Sequence, residues 1–124
     1  MNFTINNKEK HYLVTCNIEN LNSVVSSELK SEFLVVNKEG NKNIILDLSK
    51  AKYADSSGLS AVLLANRLCR DAGGTFVLTG LNEHIKKLIE IAQLDRVLNI
   101  TPTLSEAVDL VFMEEIERNL GEAE

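Results

Sequence analysis

The apolar residues of this 124-residue chain change their spacing repeatedly between Asn43 and Thr101, and that alternation constrains the fold more than any other feature. Asn43-Ile44-Ile45-Leu46-Asp47-Leu48 is a short, nearly continuous apolar run, the pattern of a central strand covered on both faces. From Asp55 the spacing becomes helical. Ala61, Ala65, Leu68 and Ala72 share a face, which Val62, Leu63, Leu64 and Cys69 widen to more than half the circumference. A helix of that kind must pack deep in the domain. Gly73-Gly74 stops it, and Thr75 to Thr79 reads as another buried strand. Asn82 can cap a further helix carrying Ile85, Leu88, Ile89 and Ala92 on one face, after which Arg96 to Thr101 returns as a strand. Strands and helices in strict alternation call for parallel neighbours joined by right-handed crossovers.

The flanks complete an α/β architecture with one mixed sheet. Phe3-Thr4-Ile5 and Tyr12 to Ile18 alternate loosely around Asn7-Lys8-Glu9-Lys10, so residues 2–18 are expected to form a hairpin. Asn22 is a candidate N-cap for a helix with Val25, Leu29, Phe33 and Val36 on its buried face, ended by Gly40 in a left-handed cap. Thr103 followed by Glu106 resembles a capping box for a last helix. Its expected core face is Leu104, Val108, Val111, Phe112 and Ile116, with fraying near Gly121. That makes four packed helices in a single domain over residues 1–124, without linker, low-complexity tract or repeat.

Composition and charge narrow the function classes. Hydrophobic residues are 44% and charged residues 25%, which argues against disorder. Net charge is −5, and the 13 basic residues are scattered apart from Lys86-Lys87, so no basic stripe exists to follow a nucleic-acid backbone. No apolar run approaches the ~20 residues of a membrane span, and the N-terminal residues carry no signal-peptide core. Cys16 and Cys69 sit in apolar contexts without CxxC spacing and read as reduced core thiols, which points to the cytoplasm.

The chemistry concentrates in residues 46–59. A buried strand leads through a short loop into Asp55-Ser56-Ser57-Gly58 at the start of the apolar helix. Free backbone N–H groups and the positive end of the helix dipole favour an anion there. Asp55 or Ser56 would cap the helix, and Gly58 permits close approach in its first turn. Read as residues alone, this is also ordinary capping chemistry. A phosphoryl group on a first-turn serine would add a charge of about −1.5 to −2 that the helix start tolerates, changing what the surface binds rather than unfolding it.

Ile44-Ile45-Leu46-Asp47-Leu48, then five residues, then Ala54-Asp55-Ser56-Ser57-Gly58-Leu59 resembles the central signature of STAS domains, and of anti-sigma factor antagonists in particular. The likeness continues through Ala72 to Leu78, Ile85 to Ile89 and Leu94 to Leu98, and covers roughly residues 10–115. The resemblance implies a non-enzymatic regulator with no cofactor. Ser56 would accept a phosphoryl group from a serine kinase that is also the anti-sigma factor, and a phosphoserine phosphatase would remove it. Asp55, Ser57 and Gly58 would shape the loop and part of the partner surface. Sporulation-type members carry Gly-Glu-Leu-Asp beside this loop. Here the corresponding Glu19-Asn20-Leu21-Asn22 keeps the leucine and loses the glycine, which assigns Leu21 and Asn22 to the same partner surface. The expected state is a monomer.

Other readings have less to stand on. An enzyme needs a nucleophile with an activating base, and Ser56 and Ser57 lack a Gly-x-Ser-x-Gly elbow. His11 and His84 read as surface residues, and Glu114-Glu115 as a solvated stretch of the last helix. Gly73-Gly74 has no following Lys-Ser/Thr, and no Cys/His/Asp grouping has metal-ligand spacing. The rival that keeps the fold is a STAS subunit of a lipid-transport ABC system or another signalling assembly, in which the Ser56 loop would contact an ATPase without being phosphorylated.

Overall fold

A hairpin of β1 (Phe3–Asn7) and β2 (Tyr12–Cys16) opens the structure, a computed structural model that describes residues 2–123. A two-residue strand, β3 (Asn20–Leu21), leads into α1 (Ser23–Lys38), and β4 (Ile44–Asp47) follows. The short β5 (Tyr53–Ala54) precedes α2 (Ser56–Asp71), and then come β6 (Phe76–Thr79) and α3 (Glu83–Ile91). A 3₁₀ turn at Leu94–Arg96, β7 (Asn99–Thr101) and α4 (Leu104–Ala123) complete the chain. The main sheet runs β1-β2-β4-β6-β7, antiparallel between β1 and β2 and parallel thereafter. It is the mixed α/β sheet expected from the alternating pattern.

The period of two along the strands divides the core. Val14, Ile44, Leu46, Phe76 and Leu78 belong to a large cluster with α1, α2 and α3. Phe33 from α1 and Phe76 meet edge to face with ring centroids 6.3 Å apart. Leu13, Ile45 and Val77 point the other way and meet only Ala107 and Val111 of α4 as buried partners. The helix starts follow the expected chemistry: Asn22, Asp55 and Asn82 accept hydrogen bonds from first-turn N–H groups of α1, α2 and α3. Gly40 stands past the end of α1 at φ +94°, a left-handed position that favours glycine. Thr103 Oγ1 accepts from Glu106 N at 3.2 Å at the start of α4.

Several expectations need correction. The last strand is only Asn99–Thr101, because residues 94–96 turn tightly before it. On α2, Leu63 and Leu64 are half-buried and Ala72 is exposed, since the buried face is formed by Leu59, Ala61, Val62, Ala65 and Cys69. The core face assigned to α4 holds only at Val111. Leu104, Val108, Phe112 and Ile116 are exposed because the helix turns Ala107 and Val111 to the sheet.

Glu114 and Glu115 are not simply solvated. Both are half-buried over one end of the sheet, where Glu114 accepts from Thr75 Oγ1 at 2.7 Å. Glu115 accepts from Asn43 Nδ2 at 2.8 Å and pairs with Arg118 at 3.0 Å. The Asn43 amide, with Arg118, holds the Glu115 carboxyl below its usual range. His11 is buried at 7% exposure beside α4, and burial followed by the nearby Lys8 charge lowers its pKa. His84 is exposed, as expected. Both cysteines are free and buried, and burial pushes the Cys69 thiol up to about 12.

Candidate functional site

The site lies at the carboxyl ends of the parallel strands, where α1, α2 and α3 all begin. After β4, Asp47 Oδ1 accepts from Ser49 N at 2.9 Å and turns the chain, while the buried Ala51 anchors the loop through a bond from its N–H to Leu48 O. The chain then runs parallel to β3, pairing Tyr53 with Asn20 and Ala54 with Leu21. Lys52 N and Tyr53 N both donate to Glu19 O, and Asp55 N donates to Leu21 O. From the opposite side, Asn82 Nδ2 donates to Lys52 O at 3.0 Å while its Oδ1 caps α3. The loop that presents Ser56 is therefore fixed by backbone bonds on one flank and an asparagine brace on the other.

At the start of α2 the two serines have different surroundings. Asp55 Oδ1 accepts from Ser57 N at 3.0 Å, Gly58 N at 3.1 Å and the Ser57 hydroxyl. The Ser57 hydroxyl, the Gly58 N–H and further backbone N–H groups, Ser23 of α1 among them, hold the Asp55 carboxyl below its ordinary range. Ser56 is the first residue of α2 and is exposed. Among the described residues its hydroxyl makes no hydrogen bond. Ser57 is half-buried with its hydroxyl occupied.

Asp55, Ser56, Ser57, Gly58, Leu21 and Asn22 are brought together, with different accessibility. Asn22 is half-buried and occupied in capping α1. Leu21 is 1% exposed and Gly58 is buried, so neither is itself accessible on the surface. A Cβ on Gly58 would stand 2.5 Å from Leu21 O, which is why the first turn of α2 fits against β3 only with glycine there. The accessible neighbours that the motif alone did not reveal are Val24, Tyr53 and the Glu19–Lys52 ion pair at 3.3 Å. Tyr53 stacks edge-on against His84 at 5.5 Å between ring centroids. Val24 was findable, since helical spacing from Val25, Leu29 and Phe33 leaves it off the buried face.

No histidine or lysine among the described residues hydrogen-bonds to either serine hydroxyl, and that of Ser57 is held by the Asp55 cap. Among the described residues no group of three or more His, Cys, Asp and Glu side chains could hold a metal, and no helix is long and apolar enough to cross a membrane. An exposed hydroxyl on a rigid loop is instead suited to be acted upon.

The STAS domain pattern matches residues 3–107. The chain belongs to the STAS domain family. A Thermotoga neapolitana protein provisionally named an anti-sigma factor antagonist is 36% identical over 95 residues, covering 77% of this STAS protein and 80% of the relative. The anti-sigma-B factor antagonist of Bacillus subtilis is 26% identical over 101 residues, covering 82% of this chain and 93% of that one. Among solved structures, a Thermotoga maritima protein with the same provisional name superposes with a TM-score of 0.83 at 25% identity. That superposition spans 88% of this STAS protein and 93% of the neighbour.

Proposed function

We propose that this STAS protein is an anti-sigma factor antagonist whose docking is switched by phosphorylation of Ser56. The observation that carries the reading is the contrast within the pair: the Ser56 hydroxyl is exposed and unengaged, whereas Asp55 holds the Ser57 hydroxyl. The names of the relatives support the same role.

Unphosphorylated protein binds, in the cytoplasm, an anti-sigma factor that is also a serine kinase, and so releases a sigma factor for transcription. Docking covers the Ser56 loop, with Asp55, Ser57 and Asn22 at its edge and Leu21 and Gly58 supporting it from below. A phosphoryl group on Ser56 places about −1.5 to −2 of charge beside the Asp55 carboxylate. The N-terminus of α2 tolerates that charge, so the fold persists. The partner would have to desolvate both anions together, so docking fails. A phosphoserine phosphatase restores the surface. The chain itself catalyses nothing in this scheme.

The test is phosphate mapping by mass spectrometry on protein isolated from its own cells. Ser56→Ala should carry no phosphate in this loop, and Ser57→Ala should keep it on Ser56. Phosphate persisting on Ser57 in the Ser56→Ala protein would overturn the assignment.

A further inference from the structure

Burial alone does not choose between the two serines at the start of α2, since Ser56 is exposed and Ser57 is half-buried, not enclosed. What separates the hydroxyls is Asp55. Its Oδ1 accepts from the Ser57 hydroxyl together with Ser57 N at 3.0 Å and Gly58 N at 3.1 Å. The residue is itself held in place. Asp55 N donates to Leu21 O at 3.3 Å, which ties it to β3. The N–H of Ser23, at the start of α1, is among the groups that stabilise its charge. Turning the carboxylate away from Ser57 would uncap α2, so it stays there while the helix start is formed.

We infer that Asp55 selects Ser56 over Ser57 as the phosphoryl acceptor, a positioning role that rests on the switch proposed above. In the transfer, a serine Oγ bonds to the terminal phosphorus of a nucleoside triphosphate carried by the kinase. The bond from that phosphorus to its bridging oxygen breaks, the nucleoside diphosphate leaves, and the hydroxyl proton passes to a base of the kinase. At Ser57 this step is opposed twice. The hydroxyl proton is directed at Asp55, and a hydrogen bond to an ionised acceptor is roughly twice as strong as a neutral one. Asp55 is a poor base in its own right, because the Ser57 hydroxyl and backbone N–H groups hold it ionised below the ordinary carboxylate range. The incoming terminal phosphate is also an anion and would have to settle beside that carboxylate. Ser56 stands about 100° around the helix from Ser57, and among the described residues its hydroxyl has no such bond.

The test is the division of phosphate between the two serines, mapped by mass spectrometry on the full chain expressed in its own cells in place of wild type. Asp55→Gly removes the carboxylate and leaves a residue that still caps helices. The Ser57 share of the phosphate should rise at least about tenfold over wild type. Asp55→Asn, which keeps a capping oxygen and loses the charge, should show a smaller rise in the same direction. Adding Asp55→Gly to Ser56→Ala should bring back a phosphate, now on Ser57, that Ser56→Ala alone lacks. A loosened helix start would lower total phosphate without moving it to Ser57. Unchanged Ser57 shares in both single variants overturn the inference and leave the Ser56 switch standing. Loss of phosphate from both serines in variants with unchanged circular dichroism does the same, because Asp55 would then be read by the kinase. Wild-type phosphate on Ser57, or on neither serine, overturns the switch itself and the selection with it.

Discussion

The two hydroxyls at the start of α2 stand on adjacent residues and differ in their hydrogen bonding. Ser57 is an accessory to the Asp55 cap, while Ser56 has its oxygen in solvent. A capped helix start was legible in Asp-Ser-Ser-Gly after a buried strand, but the residues alone left the cap between Asp55 and Ser56 and did not separate the two hydroxyls. The close approach expected at Gly58 is present, and what the motif could not reveal is the group that approaches it. Gly58 is required by the Leu21 carbonyl, and β3 and β5 are two-residue strands too short for any periodicity to announce. Gly58→Ala should therefore lower stability by about 1–3 kcal/mol in urea denaturation, by forcing β3 away from α2. An unchanged midpoint would mean that the contact relaxes freely. His11 escaped for a similar reason: a polar residue at the start of an edge hairpin reads as exposed until α4 is known to cross beside it.

At the scale of elements, the packing of α1 and α2 on one sheet face was readable because both helices repeat small or apolar residues at helical spacing. Phe33, fully buried and edge-on to Phe76, is the largest such contact on α1. Phe33→Ala should cost about 3–5 kcal/mol, whereas the half-buried Leu63→Ala should cost nearer about 1 kcal/mol, both measured by chemical denaturation. Equal losses would contradict the placement of the α2 face. The last helix defeated the same reasoning. Its apolar residues at steps of four mark a face, but the sheet takes the neighbouring face through Ala107 and Val111, and the polar Glu114, Glu115 and Arg118 cover Asn43 and Thr75. Periodicity identifies an apolar stripe without saying whether the domain or something outside it is the partner.

At the scale of the whole molecule, the sheet separates two surfaces. One end gathers the starts of α1, α2 and α3 around a rigid loop with Ser56 at its tip. The other face carries α4 and its apolar stripe. Ser56 is exposed at the first position of α2, so in the proposed scheme a phosphoryl group there acts on association and not on the core. The most direct measurement is affinity capture of the tagged protein from its own cell lysate, with partners and Ser56 phosphate read together by mass spectrometry. The account predicts a serine kinase with a histidine-kinase-like ATPase fold bound to wild type and lost from Ser56→Asp, alongside a phosphorylated, unbound pool. Recovery of transporter ATPase and permease subunits with an unmodified Ser56 would contradict it.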